Sequence, residues 1–116
     1  MSFRIVCVNP AEETYQELEA AAKKAFENRG KKKIKKSSKQ EGLFKQVHKT
    51  ISLLEQNPKH PSLNTHEYDS IPNPYDPAKK VFEAYAQNNT PGAYRVFWCY
   101  GPGKNEITII AITPHP

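Results

Sequence analysis

Sulfur and glycine are scarce in this chain: of 116 residues, two are cysteine, one is methionine and five are glycine. Cys7 and Cys99 each lie in an apolar run (FRIVCV and YRVFWCY), with no CxxC or Cys/His spacing nearby, which excludes a disulfide framework and a zinc-finger type of site. Buried, reduced thiols are the expectation. There is no Gly-rich phosphate loop and no internal repeat, and no metal or cofactor is expected. No apolar stretch approaches the roughly 20 residues that a membrane helix needs, and no charged start leads into an apolar segment of the signal-peptide kind. A cytoplasmic protein without a membrane partner is expected. The length suits one hydrophobic core, so residues 1–116 are read as a single domain.

Acid is missing from one stretch in particular. Of the 17 basic residues seven fall within residues 29–39, where there is no Asp or Glu; the rest of the chain carries 10 − 12 = −2, against +5 for the whole. The positive field is therefore local, as in a patch that attracts phosphates or an acidic partner, although a solvated lysine-rich loop has the same composition. With 37% hydrophobic and only 25% charged residues, the chain as a whole does not read as disordered.

Residues 2–8 are rich in β-formers and read as a strand. Asn9-Pro10-Ala11-Glu12 then offers a helix start, with Asn9 as the cap and Pro10 where a missing N–H costs nothing. Tyr15, Leu18, Ala22, Ala25 and Phe26 recur at three- and four-residue spacing, a stripe expected to pack on a sheet, and Arg29-Gly30 marks a stop, so the helix should end near Asn28. The run KKKIKKSSK has one apolar residue and no period, and reads as a mobile linker at about residues 29–39. Ser38 and Glu41 then form a capping box before a second stripe of Leu43, Phe44, Val47, Ile51 and Leu54, which stops before Asn57-Pro58.

From residue 59 to residue 80 prolines and turn residues outnumber apolar ones, which predicts a long ordered loop. Three β segments follow, residues 81–87, 93–100 and 106–113, joined by short Gly-, Pro- and Asn-bearing connections. The expected fold class is α+β in the order β-α-α-β-β-β, with two helices on one face of a small, mainly antiparallel sheet whose other face is partly open.

The run NPKHPSLNTHEY (residues 57–68), the arginine-bearing strand AYRVFWCY and the apolar last strand ending in Pro114-His115-Pro116 resemble the RelE/ParE superfamily of toxins. The resemblance implies a RelE-like fold and the toxin of a bacterial toxin–antitoxin pair: a metal-independent endoribonuclease acting on mRNA, often at the ribosome, and silenced by an acidic antitoxin. A non-catalytic binding module, or a ParE-type gyrase inhibitor, is the alternative on the same scaffold. The chain departs from compact members of the family in its lysine-rich linker and in the proline-bearing insert at residues 71–80.

Cutting RNA without a metal takes a base for the 2′-OH proton, a cation for the phosphate and an acid for the departing 5′ oxygen. By the resemblance Arg95 is the phosphate clamp and His115 the general acid. Against these stand a cross-strand ion pair of Arg95 with Glu83 and a frayed terminal histidine. Lys31, Lys32, Lys33, Lys35 and Lys36 are expected to hold the RNA backbone, together with His60, whose alternative duty is to shape its loop. His66 is weighed with His60, and Glu83 and Glu41 are weak candidates for the base, which stays unassigned. Tyr94, Trp98 and Tyr100 alternate with Arg95, Phe97 and Cys99, so one face of that strand is a candidate base-stacking surface, with Trp98 in the core as the other reading.

Overall fold

The computed structural model describes residues 2–87 and 92–114. Strand β1 (Arg4–Cys7) leads into helix α1 (Ala11–Lys31) and helix α2 (Lys39–Gln56). A single 3₁₀ turn (Pro61–Leu63) follows, and then β2 (His66–Glu67), β3 (Phe82–Tyr85), β4 (Tyr94–Tyr100) and β5 (Glu106–Pro114). The sheet runs β1-β5-β4-β3-β2, with β1 parallel to β5 and every other pairing antiparallel. The α+β class and the mainly antiparallel sheet agree with the sequence. The extra strand β2 does not, because two residues amid prolines leave no alternation to read; its pairing on β3 is extended by Tyr68, whose N–H donates to the Val81 carbonyl at 2.8 Å.

Helix α2 begins where the capping box places it. The Ser38 hydroxyl accepts from the Glu41 N–H at 3.2 Å, and the Glu41 carboxylate accepts from the Ser38 N–H at 2.8 Å. Helix α1 differs at both ends. Pro10 rather than Asn9 occupies the cap position, although Asn9 still accepts from the Glu13 N–H at 3.3 Å. The helix also runs through Gly30 and turns only at Lys33, which takes the left-handed φ of 56° expected of the glycine.

On the helix side of the sheet Ala84, Val96, Trp98, Ile107, Ile109 and Ile112 meet Ala11 of α1 and Val47 and Leu54 of α2. Tyr15 and Leu18 join this core, but Phe26 does not and is 58% exposed. The expectation that the whole stripe packs on the sheet is therefore corrected. A helix of 21 residues is about 31 Å long, and its far half reaches past the sheet. The molecule is accordingly 51 Å long and 28 by 25 Å across.

Strand β5 carries a bulge that explains its two adjacent isoleucines. Phe97 pairs with Ala111 and Trp98 with Ile109, so Ile110 is the extra residue. Ile109 faces the helices, whereas Ile110 packs with Val81 and Cys99 under Ile71 on the other face. The proline-bearing insert covers that part of the helix-free face. Buried Asn73 staples it, accepting from the N–H groups of Tyr75 (2.9 Å) and Asp76 (3.2 Å) and donating to the Lys80 carbonyl (3.2 Å). Tyr75 reaches the sheet through a 2.9 Å hydroxyl–hydroxyl contact with Thr108. Cys7 and Cys99 are free thiols whose strand registers put them on opposite faces.

Candidate functional site

The part of the helix-free face that the insert leaves alone is built from three neighbouring strands. Residues directly opposite in a ladder share a face, and here Tyr85 lies opposite Arg95, Arg95 opposite Thr113, Glu83 opposite Phe97 and His66 opposite Glu83. His66, Glu83, Tyr85, Arg95 and Phe97 thus share one surface, and Tyr68 closes one side with its ring 4.8 Å from that of Phe97.

Arg95 is 1% exposed. Its Nη1 donates to the Ala93 carbonyl at 3.0 Å and to the Tyr94 carbonyl at 3.4 Å, and its Cζ stands 3.8 Å from the centre of the Tyr85 ring. The Nε–H has no hydrogen-bond partner among the described residues. The partner directly across from Arg95 is therefore an aromatic face, with buried Glu83 two residues along the same strand face. Tyr85 in turn stacks on His66, ring centres 5.7 Å apart and planes 15° from parallel. Sequence reasoning missed Tyr85 entirely, because only the register reveals it.

The two loop histidines have opposite hydrogen-bonding roles. His60 caps the 3₁₀ turn, with Nδ1 accepting from the Ser62 N–H at 3.1 Å, so the loop-shaping duty is the one its geometry displays. His66 is exposed, and its Nδ1 contacts the carbonyl of Asn64, a residue held in the left-handed region at φ 47°. Beside these residues a cleft of about 280 Å³ opens between α2 and the end of β3, lined among others by Lys49, Thr50, Asn64 and Tyr85. Lys49 is a cation near the site that the sequence, with its lysine run elsewhere, does not single out.

That run lies at the other end of the helices. The Thr50 hydroxyl approaches the Tyr85 carbonyl at 3.5 Å, whereas α2 begins at Lys39, eleven residues and about 16 Å of helix earlier. Lys31, Lys32, Lys33, Lys35 and Lys36 are all exposed at the far tip of the helical hairpin, in a loop whose backbone is pinned at two carbonyls. Arg29 does the pinning. Its Nη1 donates to the carbonyls of Ile34 (3.3 Å) and Lys35 (3.2 Å), its Nε meets both Glu41 carboxylate oxygens at 2.9 Å, and its guanidinium lies over Phe26. Glu41, engaged in this way at the tip, is withdrawn as a candidate base. The Ser38 N–H, with Arg29 assisting, holds its carboxyl below the ordinary carboxylate range.

Trp98 is 1% exposed and stacks on Phe82 on the helix side, ring centres 4.8 Å apart, so it belongs to the core and offers no platform for a base. His115 lies outside the described residues. Pro114, the last residue of β5, pairs with Tyr94, so the strand ends beside Arg95 in the ladder. Among the described residues no cluster of three His, Cys, Asp or Glu side chains could hold a metal, and no helix is long and apolar enough to cross a membrane.

No protein-family model matches the chain, and no curated protein matches it. Among solved structures it is similar to an archaeal RelE–RelB complex from Pyrococcus horikoshii, at 13% identity over 98% of this chain and 96% of that one, with a TM-score of 0.57. At that identity the likeness is one of fold: two helices and a five-stranded mixed sheet in a RelE-like arrangement.

Proposed function

We propose that the chain is the toxin of a toxin–antitoxin pair and cuts RNA without a metal, the ribose 2′-oxygen attacking the adjacent phosphate. The observation that carries this reading is Arg95. A buried guanidinium is costly to desolvate, and this one keeps an N–H without a described partner on the sheet face that no helix covers. A phosphate is the anion best matched to a planar, fixed guanidinium, and it stabilises most where charge builds up during the reaction. Engagement requires the groups over the Nε–H edge of Arg95 to give way, while the Tyr85 ring keeps its place on the guanidinium face.

In this reading His115 is the acid that protonates the departing 5′ oxygen, and the five lysines of the hairpin tip hold the RNA backbone at a distance from the cut. A RelE-like fold, also seen in a RelE–RelB complex, supports an antitoxin as the natural partner, and the lysine tip favours an acidic one.

The test is controlled expression of wild type and Arg95→Ala with RNA ends mapped, followed by incubation of the purified proteins with RNA in chelator. New ends carrying 2′,3′-cyclic phosphate and 5′-hydroxyl, formed in chelator and lost in the variant, are expected. Growth arrest without new ends, accompanied by a fall in gyrase supercoiling, would instead establish the ParE-type reading.

A further inference from the structure

We infer that His66 is the general base of the RNA cleavage, set in its reactive tautomer by the Asn64 carbonyl and in its orientation by the Tyr85 ring. The inference rests on the nuclease reading above and supplies the role that reading leaves open.

A carbonyl oxygen can only accept, so the contact between His66 Nδ1 and the Asn64 oxygen requires the proton on Nδ1. In the neutral ring the lone pair then lies on Nε2, the nitrogen that points away from the loop backbone. His60 has the opposite arrangement: Nδ1 accepts from a backbone N–H, which places the neutral ring's proton on Nε2. Protonating His60 at Nδ1 would break its turn. Of these two histidines, then, only His66 can take up a proton without giving up its anchor.

The conformation of Asn64 and one further contact hold it over the site. Asn64 keeps a left-handed conformation (φ 47°, ψ 43°), which turns its carbonyl back toward the imidazole two residues on. The stacked Tyr85 ring limits tilting of the imidazole and is itself held on β3 against the Arg95 guanidinium on β4. Because β2, β3 and β4 are consecutive in the sheet, His66 and Arg95 lie on either side of Tyr85 on one face. A ribose-phosphate laid over that ring has a base toward its 2′-OH and a cation toward its phosphate. Tyr85 is a positioning residue in this scheme.

In the attack the 2′-OH proton passes to His66 Nε2 as O2′ bonds to phosphorus. The P–O5′ bond breaks with its electron pair going to O5′, which takes one proton from the general acid, and the imidazolium returns its proton to solvent. The products are a 2′,3′-cyclic phosphate and a 5′-hydroxyl end.

Single-turnover cleavage of a short RNA, free and on programmed ribosomes, would be measured across about pH 5–9 for wild type, His66→Gln and His66→Gly, with thermal melts checking that the variants fold. Expected are a loss of about 100-fold or more in both variants, disappearance of the acid limb of the pH–rate profile in His66→Gln, and partial recovery of His66→Gly by added imidazole. A stacking or loop-shaping role alone would show neither of the last two effects. If wild type cuts and His66→Gln cuts at the same rate with the same pH profile, the assignment of His66 is wrong while the nuclease reading stands. If wild type makes no cut in either setting, the nuclease reading falls and the assignment with it.

Discussion

Arg29 near the end of α1 grips Glu41 in the first turn of α2 through both carboxylate oxygens, each 2.9 Å from Nε, and so closes the hairpin at its tip. The same guanidinium donates to two loop carbonyls, which makes it the keystone of the lysine loop. Arg29→Ala should leave the sheet intact and open the loop. Limited trypsin digestion should then cut between residues 31 and 39 faster than in wild type, with the first fragments mapping there.

The charge state of Glu41 gives that closure a pH dependence. The folded carboxyl titrates below its ordinary 4.5, chiefly because the Ser38 N–H donates to the charged form, with Arg29 adding to the effect. The unfolded chain therefore binds the proton more readily. Its contribution to stability is complete above about pH 4.5 and disappears as pH falls through the lower folded value. Wild type should lose melting temperature on acidification through that window, and Glu41→Gln should lose less over the same interval.

Arg95→Lys tests whether a positive charge alone suffices. An ammonium cannot donate to two carbonyls, lie flat on Tyr85 and still offer an N–H to a phosphate. Cleavage by this variant should fall by about 100-fold or more, close to the loss in Arg95→Ala. Near-normal rates in the lysine variant would show that point charge, not geometry, is what the site needs.

Replacing Lys31, Lys32, Lys33, Lys35 and Lys36 with glutamine should weaken RNA binding without changing the cleavage rate of bound RNA, because the loop and Arg95 are far apart along α2. The slope of log K against log salt should become shallower by about 0.7 for each phosphate that the loop no longer neutralises. An unchanged slope would assign the lysines to a protein partner instead.

Trp98 is buried with an Nε1–H that has no hydrogen-bond partner among the described residues. Trp98→Phe removes that donor as well as ring volume, and the two effects oppose each other, so the variant should lose less than about 1.5 kcal/mol. Trp98→Ala, which leaves a cavity under Phe82, should lose about 3–5 kcal/mol. Chemical denaturation of both variants distinguishes the two costs.

How far the chain could be read in advance depended on the range of each interaction. The capping box of Ser38 and Glu41 is a three-residue pattern and was legible, as were the strand-forming runs. Local sequence also reveals that Arg29 is basic, but not that it is engaged by an acid twelve positions away. Phe26 fits the apolar period of α1, yet the period cannot say where the sheet ends. The site is less legible still. Tyr85 faces Arg95 only because of a ladder register, and His66 differs from His60 only because Asn64 adopts a left-handed turn. Arg95 itself was recognisable as a residue of interest, whereas its burial depends on what neighbouring strands place around it.

Beyond the sheet the helical hairpin touches mainly itself, so its length is free of the constraints that fix the core. Adding or removing whole turns of both helices would carry the lysine tip outward or inward in steps of about 5.4 Å while Ala11, Val47 and Leu54 keep their places against the sheet. The distance between the lysine tip and Arg95 is in that sense a ruler, marked off in helical turns and adjustable without disturbing the sheet at its other end.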